Sequence, residues 1–177
     1  MLPLVSAQRR EQALRYKHTL GQFCCLKSWL MLKELSVFSH QQSDFLYNEH
    51  GKPYLENGPY FSISHCKEGI AVAVDDQPIG IDIEGIRHAD EELVARVMNE
   101  EEKFRVESLE LRDRDRAFTR LWTQKEAVVK MLGTGIQSFE QLQNLLSCQP
   151  SAFSIQTFEK DNYIYSIAYG KLHCFGA

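Results

Sequence analysis

The segment from residue 60 to residue 84 constrains the fold most, because apolar residues alternate in it with small or polar ones. This period of two is typical of β-strands. Turn-forming sequences at residues 67–69 and 75–78 divide the segment. The sequence therefore predicts three consecutive short strands that are joined by turns.

The chain before this segment has a different pattern. Apolar residues recur at three- to six-residue gaps over residues 7–35, which predicts one long helix or a broken pair of helices. Residues 36–60 contain repeated Asn, Gly and Pro and are predicted to form loops and turns with at most short extended pieces.

The chain after the strands returns to helical spacing. Residues 90–107 and 113–132 are predicted to be helices, and Gly133 is expected to end the second one. Alternation then predicts three further strands, at residues 153–158, 163–169 and 171–175.

The two strand regions share a faint internal repeat. The tripeptide Phe-Ser-Ile at residues 61–63 recurs at residues 153–155, and each copy precedes a hairpin that follows a helix and a loop. We therefore hypothesise an α+β fold built from a duplicated helix-plus-hairpin unit, with a site between the halves. Because three residues are a short match, two unrelated α+β halves remain an alternative.

Composition excludes several classes of protein. A chain of 177 residues forms one substantial domain or two small fused halves. Its net charge of -4 argues against a nucleic-acid-binding protein. Apolar runs are too short for a membrane span, and five cysteines without metal-ligand spacing favour a reducing cytoplasm.

The third predicted strand carries two carboxylates. Because strand side chains alternate, Asp82 and Glu84 should share a face with Gly80, opposite the isoleucines at residues 79, 81 and 83. Two such carboxylates repel each other unless a cation or a proton joins them, and Mg²⁺ prefers oxygen ligands of this kind. Gly80 is expected to leave room for a ligand. The alternative is a solvated acidic face of the sheet.

Two other groups of residues could take part in binding an anion. On the predicted helix 113–132, Trp122, Glu126 and Lys130 form a row, which offers a third carboxylate and an ammonium group or else an ordinary surface ion pair. Ser64 and His65 end the first strand, and Lys52 precedes it. These residues could bind a phosphate, or they could be a turn-stabilising serine and surface residues.

The order of five sequence pieces is more specific than any one of them. They are G-K-P at 51–53, F-S-I-S-H at 61–65, G-I-D-I-E at 80–84, W-x-x-K-E-A-x-x-K at 122–130 and G-T-G-I at 133–136. In this order they resemble the 4'-phosphopantetheinyl transferase superfamily. The chain length and the internal repeat are similar to its longer, pseudo-dimeric branch, the surfactin-synthetase-activating type, which is related to holo-acyl-carrier-protein synthases.

This resemblance implies a fold and a function. Two similar halves, 1–78 and 79–177, should form one two-lobed monomer that binds coenzyme A in the cleft between them. The expected reaction transfers the 4'-phosphopantetheine group of coenzyme A to a serine of an acyl or peptidyl carrier protein and releases 3',5'-ADP. The implied cofactor is Mg²⁺, and neither a nucleic acid nor a membrane is an expected partner.

The resemblance also assigns roles to single residues. Asp82, Glu84 and Glu126 would hold Mg²⁺, and Glu126 would take the proton of the carrier serine. Lys130 would bind the pyrophosphate of coenzyme A. The remaining contacts with coenzyme A would come from Ser64 and His65 at the 3'-phosphate, Lys52 near the adenosine, and basic residues of the first helix among Arg9, Arg10, Arg15 and Lys17.

Further expectations concern the partner and the alternatives. The carrier should meet the helix of residues 93–104 and the loop after it, where Glu100, Glu101 and Glu102 are expected on the surface among several basic residues. The alternatives are a metal-dependent phosphohydrolase that acts on a coenzyme A-like diphosphate and a non-catalytic relative that binds carrier proteins.

Overall fold

The computed structural model describes residues 4–35, 45–148 and 152–170, in which groups of helices and groups of antiparallel strands follow one another. The helices are α1 (Ala7–Leu14), α2 (Thr19–Glu34), α3 (Glu91–Val97), α4 (Glu100–Glu107), α5 (Leu111–Leu132) and α6 (Phe139–Cys148). The strands are β1 (Leu46–Tyr47), β2 (Pro53–Tyr54), β3 (Tyr60–His65), β4 (Ile70–Asp75), β5 (Ile79–Gly85), β6 (Phe153–Glu159) and β7 (Tyr163–Gly170). None of the helices in these ranges combines the length and the apolar character that crossing a bilayer requires.

The first layer consists of α2 packed on the β3–β4 hairpin. Strands β3 and β4 pair antiparallel, with Tyr60 opposite Asp75 and His65 opposite Ile70. Buried side chains from both elements, such as Trp29 and Phe61, form one hydrophobic cluster between them. Because Phe61 and Ile63 of β3 point into this cluster, Ser62 and Ser64 point away from it.

The second layer consists of α5 packed on a three-stranded antiparallel sheet in the order β5-β7-β6. Ala127, Val128 and Met131 of α5 form a cluster with Phe153 and Ala168 of the sheet. Helix α5 ends at Gly133, which has a left-handed φ of 72°. This conformation favours glycine and explains why the helix ends there, as the sequence predicts.

Serine side chains connect the two layers at the junction of β3 and β5. The Ser62 hydroxyl accepts a hydrogen bond from the Ile81 amide at 3.0 Å, and the Ser64 hydroxyl accepts one from the Ile83 amide at 3.3 Å. Strand β5 has backbone pairing with β7 on its other side. The hydroxyl groups therefore satisfy buried amides that a neighbouring strand would otherwise bind.

The close contact of α5 with β5 corrects one expectation from the sequence. Gly80 does not leave room for a ligand, because an added Cβ would lie 1.9 Å from the Ala127 carbonyl oxygen and 2.4 Å from the Met131 nitrogen. The same helix buries Asp82, so this face of β5 is not the solvated acidic face given as the alternative. Isoleucines 79, 81 and 83 are buried as predicted.

Most predicted elements are confirmed, with two differences. The first helical region is the broken pair α1 and α2, and the three predicted strands at 60–84 are β3, β4 and β5. Residues 90–107 form two helices, because the Asn99 side chain and Glu102 form a capping box that starts α4. Helix α6 was not predicted. The predicted strand at residues 171–175 lies outside the described residues.

We expect Gly80→Ala to lower the stability of the fold by about 3 kcal/mol or more, since the new methyl group overlaps backbone atoms of α5 that cannot move independently. Thermal or urea unfolding measures this change. The matched control is Gly69→Ala, whose Cβ would make an ordinary contact of 3.5 Å with the Ile83 side chain. Equal stability of both variants would contradict the close contact between α5 and β5.

Candidate active site

Asp82 is the centre of a buried polar cluster. Its side chain is 5% exposed. Oδ1 accepts hydrogen bonds from the Ser64 hydroxyl at 2.8 Å and from the Lys130 ammonium at 2.6 Å. The other oxygen, Oδ2, is buried and has no hydrogen-bond partner among the residues that the structure describes. A buried carboxylate oxygen in this condition is costly, and it is available to a cation.

Lys130 reaches Asp82 from the neighbouring helix. Its ammonium group also donates to the Ser64 hydroxyl at 2.9 Å, so the three side chains form a closed triangle of hydrogen bonds. The side chain of Lys130 is 29% exposed, in contrast to that of Asp82. The ammonium group therefore lies at the boundary between the buried carboxylate and the solvent.

Two further carboxylates face this triangle. The pKa of Glu126 is raised, first by burial and then by the negative charge of Asp82. The pKa of Glu84 is raised by the same two causes. The charge of Glu84 also contributes to the raised pKa of Glu126. Glu126 is thus electrostatically coupled to Asp82 and Glu84, although it is distant from them in sequence.

Arg87 belongs to the same region and was not predicted from the sequence. Its guanidinium group lies 3.7 Å from Glu84 Oε1 and 5.2 Å from the ring centre of Trp122. It lowers the pKa of Glu84 and Glu126, against the larger effect of burial. The position of Arg87 three residues after Glu84 could have indicated its role, but the direction of its side chain depends on the loop after β5.

A cavity of about 280 Å³ opens beside the cluster. Lys52, Glu126 and Lys130 line it together with the glycine-rich segment after α5. Burial lowers the pKa of Lys52 to about 8, and its ammonium group donates to the Met131 carbonyl at 3.1 Å. A larger, mainly apolar cavity of about 610 Å³ shares Val129, Gly135 and Ile136 with the smaller one. Because the charged groups line the smaller cavity, it is the candidate site for an anion.

Three predicted site residues lie in different surroundings. Ser64 is buried and bonded to Asp82, whereas His65, the next residue, is exposed at the end of β3. Successive side chains of a strand point to opposite faces, so these two do not face a common point. Arg15 is exposed and forms an ion pair with Glu11 at 3.0 Å on α1.

The polar cluster fits a divalent cation in its chemistry, although not as a preformed cage. Among residues 4–35, 45–148 and 152–170, no three His, Cys, Asp or Glu side chains are already arranged to hold a metal ion. The free oxygen of Asp82 is buried, and burial, followed by the negative charge of Asp82, raises the pKa values of Glu84 and Glu126. Carboxylate oxygens that lack a positive partner are ligands that suit Mg²⁺.

Comparison with known proteins identifies a family for this chain. The sequence model of the family described as the 4'-phosphopantetheinyl transferase superfamily matches residues 78–173, more than half of the chain. The chain therefore belongs to the 4'-phosphopantetheinyl transferase superfamily. The matched region includes β5 and α5, which supply Asp82, Glu84, Glu126 and Lys130.

Three curated relatives are named 4'-phosphopantetheinyl transferases. The chain is 29% identical over 136 residues to the 4'-phosphopantetheinyl transferase gsp of Aneurinibacillus migulanus, covering 75% of this chain and 57% of that protein. It is 30% identical over 140 residues to psf-1 of Bacillus pumilus, with coverages of 76% and 60%. It is 31% identical over 146 residues to Sfp of Bacillus subtilis (strain 168), with coverages of 76% and 63%. The chain thus spans less than two thirds of the length of these relatives.

The raised pKa of Glu126 predicts a pH-dependent effect on stability. A carboxyl group with a raised pKa in the folded state stabilises the fold below its ordinary pKa, and this contribution is lost as the pH rises through the folded value. At neutral pH the ionised Glu126 therefore disfavours folding. We expect Glu126→Gln to unfold at a higher temperature than the parent chain at pH 7.5 with a chelator present.

This difference should disappear in acid, below the ordinary pKa of a glutamate, where both chains carry a neutral group at position 126. Thermal unfolding at both pH values measures it, and Glu56→Gln on the exposed loop after β2 is the control. A gain of the same size at both pH values would show that burial of charge is not its cause.

Proposed function

We propose that this chain transfers the 4'-phosphopantetheine group of coenzyme A to a serine of an acyl or peptidyl carrier protein and releases 3',5'-ADP. One observation carries the proposal. Glu126, Lys130 and Lys52 line one cavity, and Lys130 is bonded to buried Asp82, whose second oxygen has no partner among the described residues. The pKa values of Glu84 and Glu126 are raised. Such a combination suits a diphosphate together with a divalent cation. Membership of the superfamily supports the same reaction.

In this proposal Asp82, Glu84 and Glu126 hold Mg²⁺. When bound, the ion offsets the charge of the diphosphate and of the transition state. The carboxylates supply the oxygen ligands, and Asp82 offers an oxygen that is already desolvated. The ammonium group of Lys130, which is bonded to Asp82 in the protein alone, would then be able to bind a phosphate oxygen as well.

Lys130 and Lys52 neutralise the phosphates of coenzyme A in the cavity that they share. Glu126 accepts the proton of the carrier serine. The serine oxygen forms a bond to the β-phosphorus, and the bond from that phosphorus to the bridging oxygen breaks, so that 3',5'-ADP leaves with the electron pair. A general base beside Mg²⁺ needs no raised pKa, because the ion would polarise the hydroxyl group that gives up the proton.

We propose further that the chain consists of two similar halves, 1–78 and 79–177, with the site at their boundary. Ser64 and Lys52 come from the first half, and the carboxylates and Lys130 come from the second. The hydrogen bond between Ser64 and Asp82 supports a site that needs both halves. In this proposal the protein acts as a monomer in the cytoplasm, a reducing compartment that suits the free thiols of Cys24 and Cys25.

The carrier protein is proposed to dock on the surface around α4 and the start of α5. Phe104 and Leu111 are 74% and 76% exposed, and Leu109 lies between them in sequence. Exposed apolar side chains of this size mark interaction surfaces. Arg105 and Arg112 are exposed beside them and suit an acidic partner. One sequence expectation is wrong here, because Glu102 is buried and does not contribute to the surface.

The direct test is the intact mass of an apo carrier protein after incubation with this chain, coenzyme A and Mg²⁺. We expect a mass increase of one phosphopantetheine group. Asp82→Ala and Glu126→Ala should lower the rate by about 10² to 10⁴-fold, the range expected for a group that acts on the reacting proton or its charge. Glu56→Ala, at an exposed position, is the matched control.

Fatty-acid, polyketide and peptide-synthesis carriers should all be offered, since the site does not distinguish them. Unchanged mass of every carrier would contradict the proposal. Release of 3',5'-ADP from coenzyme A without any carrier would instead identify a phosphohydrolase.

His65 provides a separate test of ligand placement. We propose that it contacts the 3'-phosphate of coenzyme A, and its exposed position at the end of β3 leaves it open to a ligand. His65→Ala should weaken the binding of coenzyme A about 10-fold, the loss expected for one charge-assisted hydrogen bond, and leave dephospho-coenzyme A binding unchanged. Isothermal titration of both ligands measures this, and equal losses would place His65 elsewhere.

A further inference from the structure

Lys125, the neighbour of Glu126 on α5, is a fully buried lysine with unusually many partners. Its side chain is 0% exposed. The ammonium group lies within hydrogen-bond distance of four oxygens from three other helices and their ends. These are Glu102 Oε2 at 2.7 Å, the Val97 carbonyl at 2.8 Å, the Leu142 carbonyl at 2.9 Å and the Gln143 carbonyl at 2.8 Å. Helix α5 is thereby tied to α3, α4 and α6 at one point.

The partner carboxylate is held as firmly as the lysine. Glu102 Oε2 also accepts a hydrogen bond from the Asn99 amide at 3.1 Å, and the Asn99 side chain accepts one from the Glu102 amide at 2.9 Å. The side-chain amide of Asn99 in turn donates a hydrogen bond to the Gln143 carbonyl at 3.3 Å. The Lys125–Glu102 ion pair is therefore part of a satisfied network and not a single contact.

Stability alone does not account for this network. Buried ion pairs lose so much hydration that apolar residues of similar volume are often as stabilising or more so. Burial lowers the pKa of Lys125, and the charge of Glu102 counteracts this. An ion pair with fixed hydrogen bonds defines the direction in which the side chain points from its helix, whereas an apolar contact does not.

The direction matters because of where Lys125 lies on the helix. Successive residues of an α-helix point about 100° apart. Lys125 fixes one side of α5 to the helical cluster, and the backbone at Ala127 and Met131 rests on Gly80 of β5. Glu126 lies between these two fixed sides. A rotation or shift of α5 would move its carboxylate away from Asp82.

We propose that Lys125 is a positioning residue, which sets the orientation of α5 and so places Glu126 against Asp82. The inference rests on the proposed function, in which Glu126 takes the proton of the carrier serine. Lys125 touches none of the reacting groups in this scheme. It acts through the helix that carries Glu126, together with Glu102 and the backbone carbonyls that hold its ammonium group.

The test compares Lys125→Met with the parent chain in the carrier-modification assay. We expect kcat to fall by about 10²-fold, as for a small misplacement of a catalytic group, while the KM values for coenzyme A and the carrier change less than about 2-fold. Lys160→Met, the same substitution at an exposed lysine in the β6–β7 turn, should leave kcat unchanged. A parent-like kcat in folded Lys125→Met would overturn the proposal.

The double variant Lys125→Met/Glu102→Met separates positioning from stability. It leaves no unpaired ion in the core, so it should be more stable than Lys125→Met alone, even though the Asn99 N–H loses the Glu102 carboxylate as its acceptor. We expect its kcat to stay about 10²-fold low. Recovery of both stability and kcat would show that the ion pair is only structural.

A second readout does not depend on transfer. Mn²⁺ affinity, measured by electron paramagnetic resonance on each purified chain, should be about 10-fold weaker in the double variant than in the parent, because Glu126 no longer faces Asp82. Unchanged Mn²⁺ affinity would overturn the positioning role. If the parent binds Mn²⁺ but transfers nothing, the proposed function fails and this comparison alone still decides the role of Lys125.

Discussion

The contact of α5 with β5 at Gly80 is the constraint on which the site depends. An added Cβ would overlap the Ala127 carbonyl oxygen, so the helix backbone lies directly on the strand. Two residues further along β5 is Asp82, and one turn apart on α5 are Glu126 and Lys130. A larger residue at position 80 would hold the helix away from the strand and separate these charges. Backbone packing therefore comes first, and the electrostatics of the site follow from it.

The cluster is electrostatically unbalanced in the protein alone. Asp82, Glu84 and Glu126 carry three potential negative charges against Lys130 and Arg87, and burial raises the pKa of both glutamates. A fold selected for stability alone would place a partner on the free oxygen of Asp82. The surrounding apolar clusters, with side chains such as Phe118 and Val128 at 0% exposed, stabilise the fold enough to tolerate this imbalance. Such excess charge in a cleft is characteristic of functional sites.

Local patterns in the sequence predicted much of the fold. Strands β3 to β5 follow from alternation, and the end of α5 follows from Gly133, because both signals act within a few residues. The break before α4 was missed, since the capping box of Asn99 and Glu102 lies inside a continuous helical pattern. Helix α6 was not predicted, because it is short and follows a glycine-rich segment that is typical of a loop. The approach of α5 to Gly80 joins residues that are distant in sequence, and no local pattern reports it.

The same limit applies to the site. The sequence indicated Asp82, Glu84 and Glu126 together, but it did not predict that Lys130 bonds to Asp82 and Ser64. Arg87 was not noticed, because its position depends on how the loop after β5 turns toward Trp122. Glu102 was predicted to lie on the surface with Glu100 and Glu101, but it is buried with its partner Lys125. Side-chain direction, which depends on tertiary packing, is what residue type and spacing could not supply.

Lys125 and Lys130 of α5 differ in burial, and this difference suits one to a structural role and the other to ligand binding. Lys125 is enclosed, and four oxygens surround its ammonium group, so movement would leave a buried charge unpaired. Lys130 is 29% exposed and has Asp82 and Ser64 as partners at the edge of an open cavity. An exposed ammonium group can exchange one anion for another at low cost, because water compensates it during the exchange. The enclosed lysine suits a fixed support, and the exposed one suits contact with a ligand that must arrive and leave.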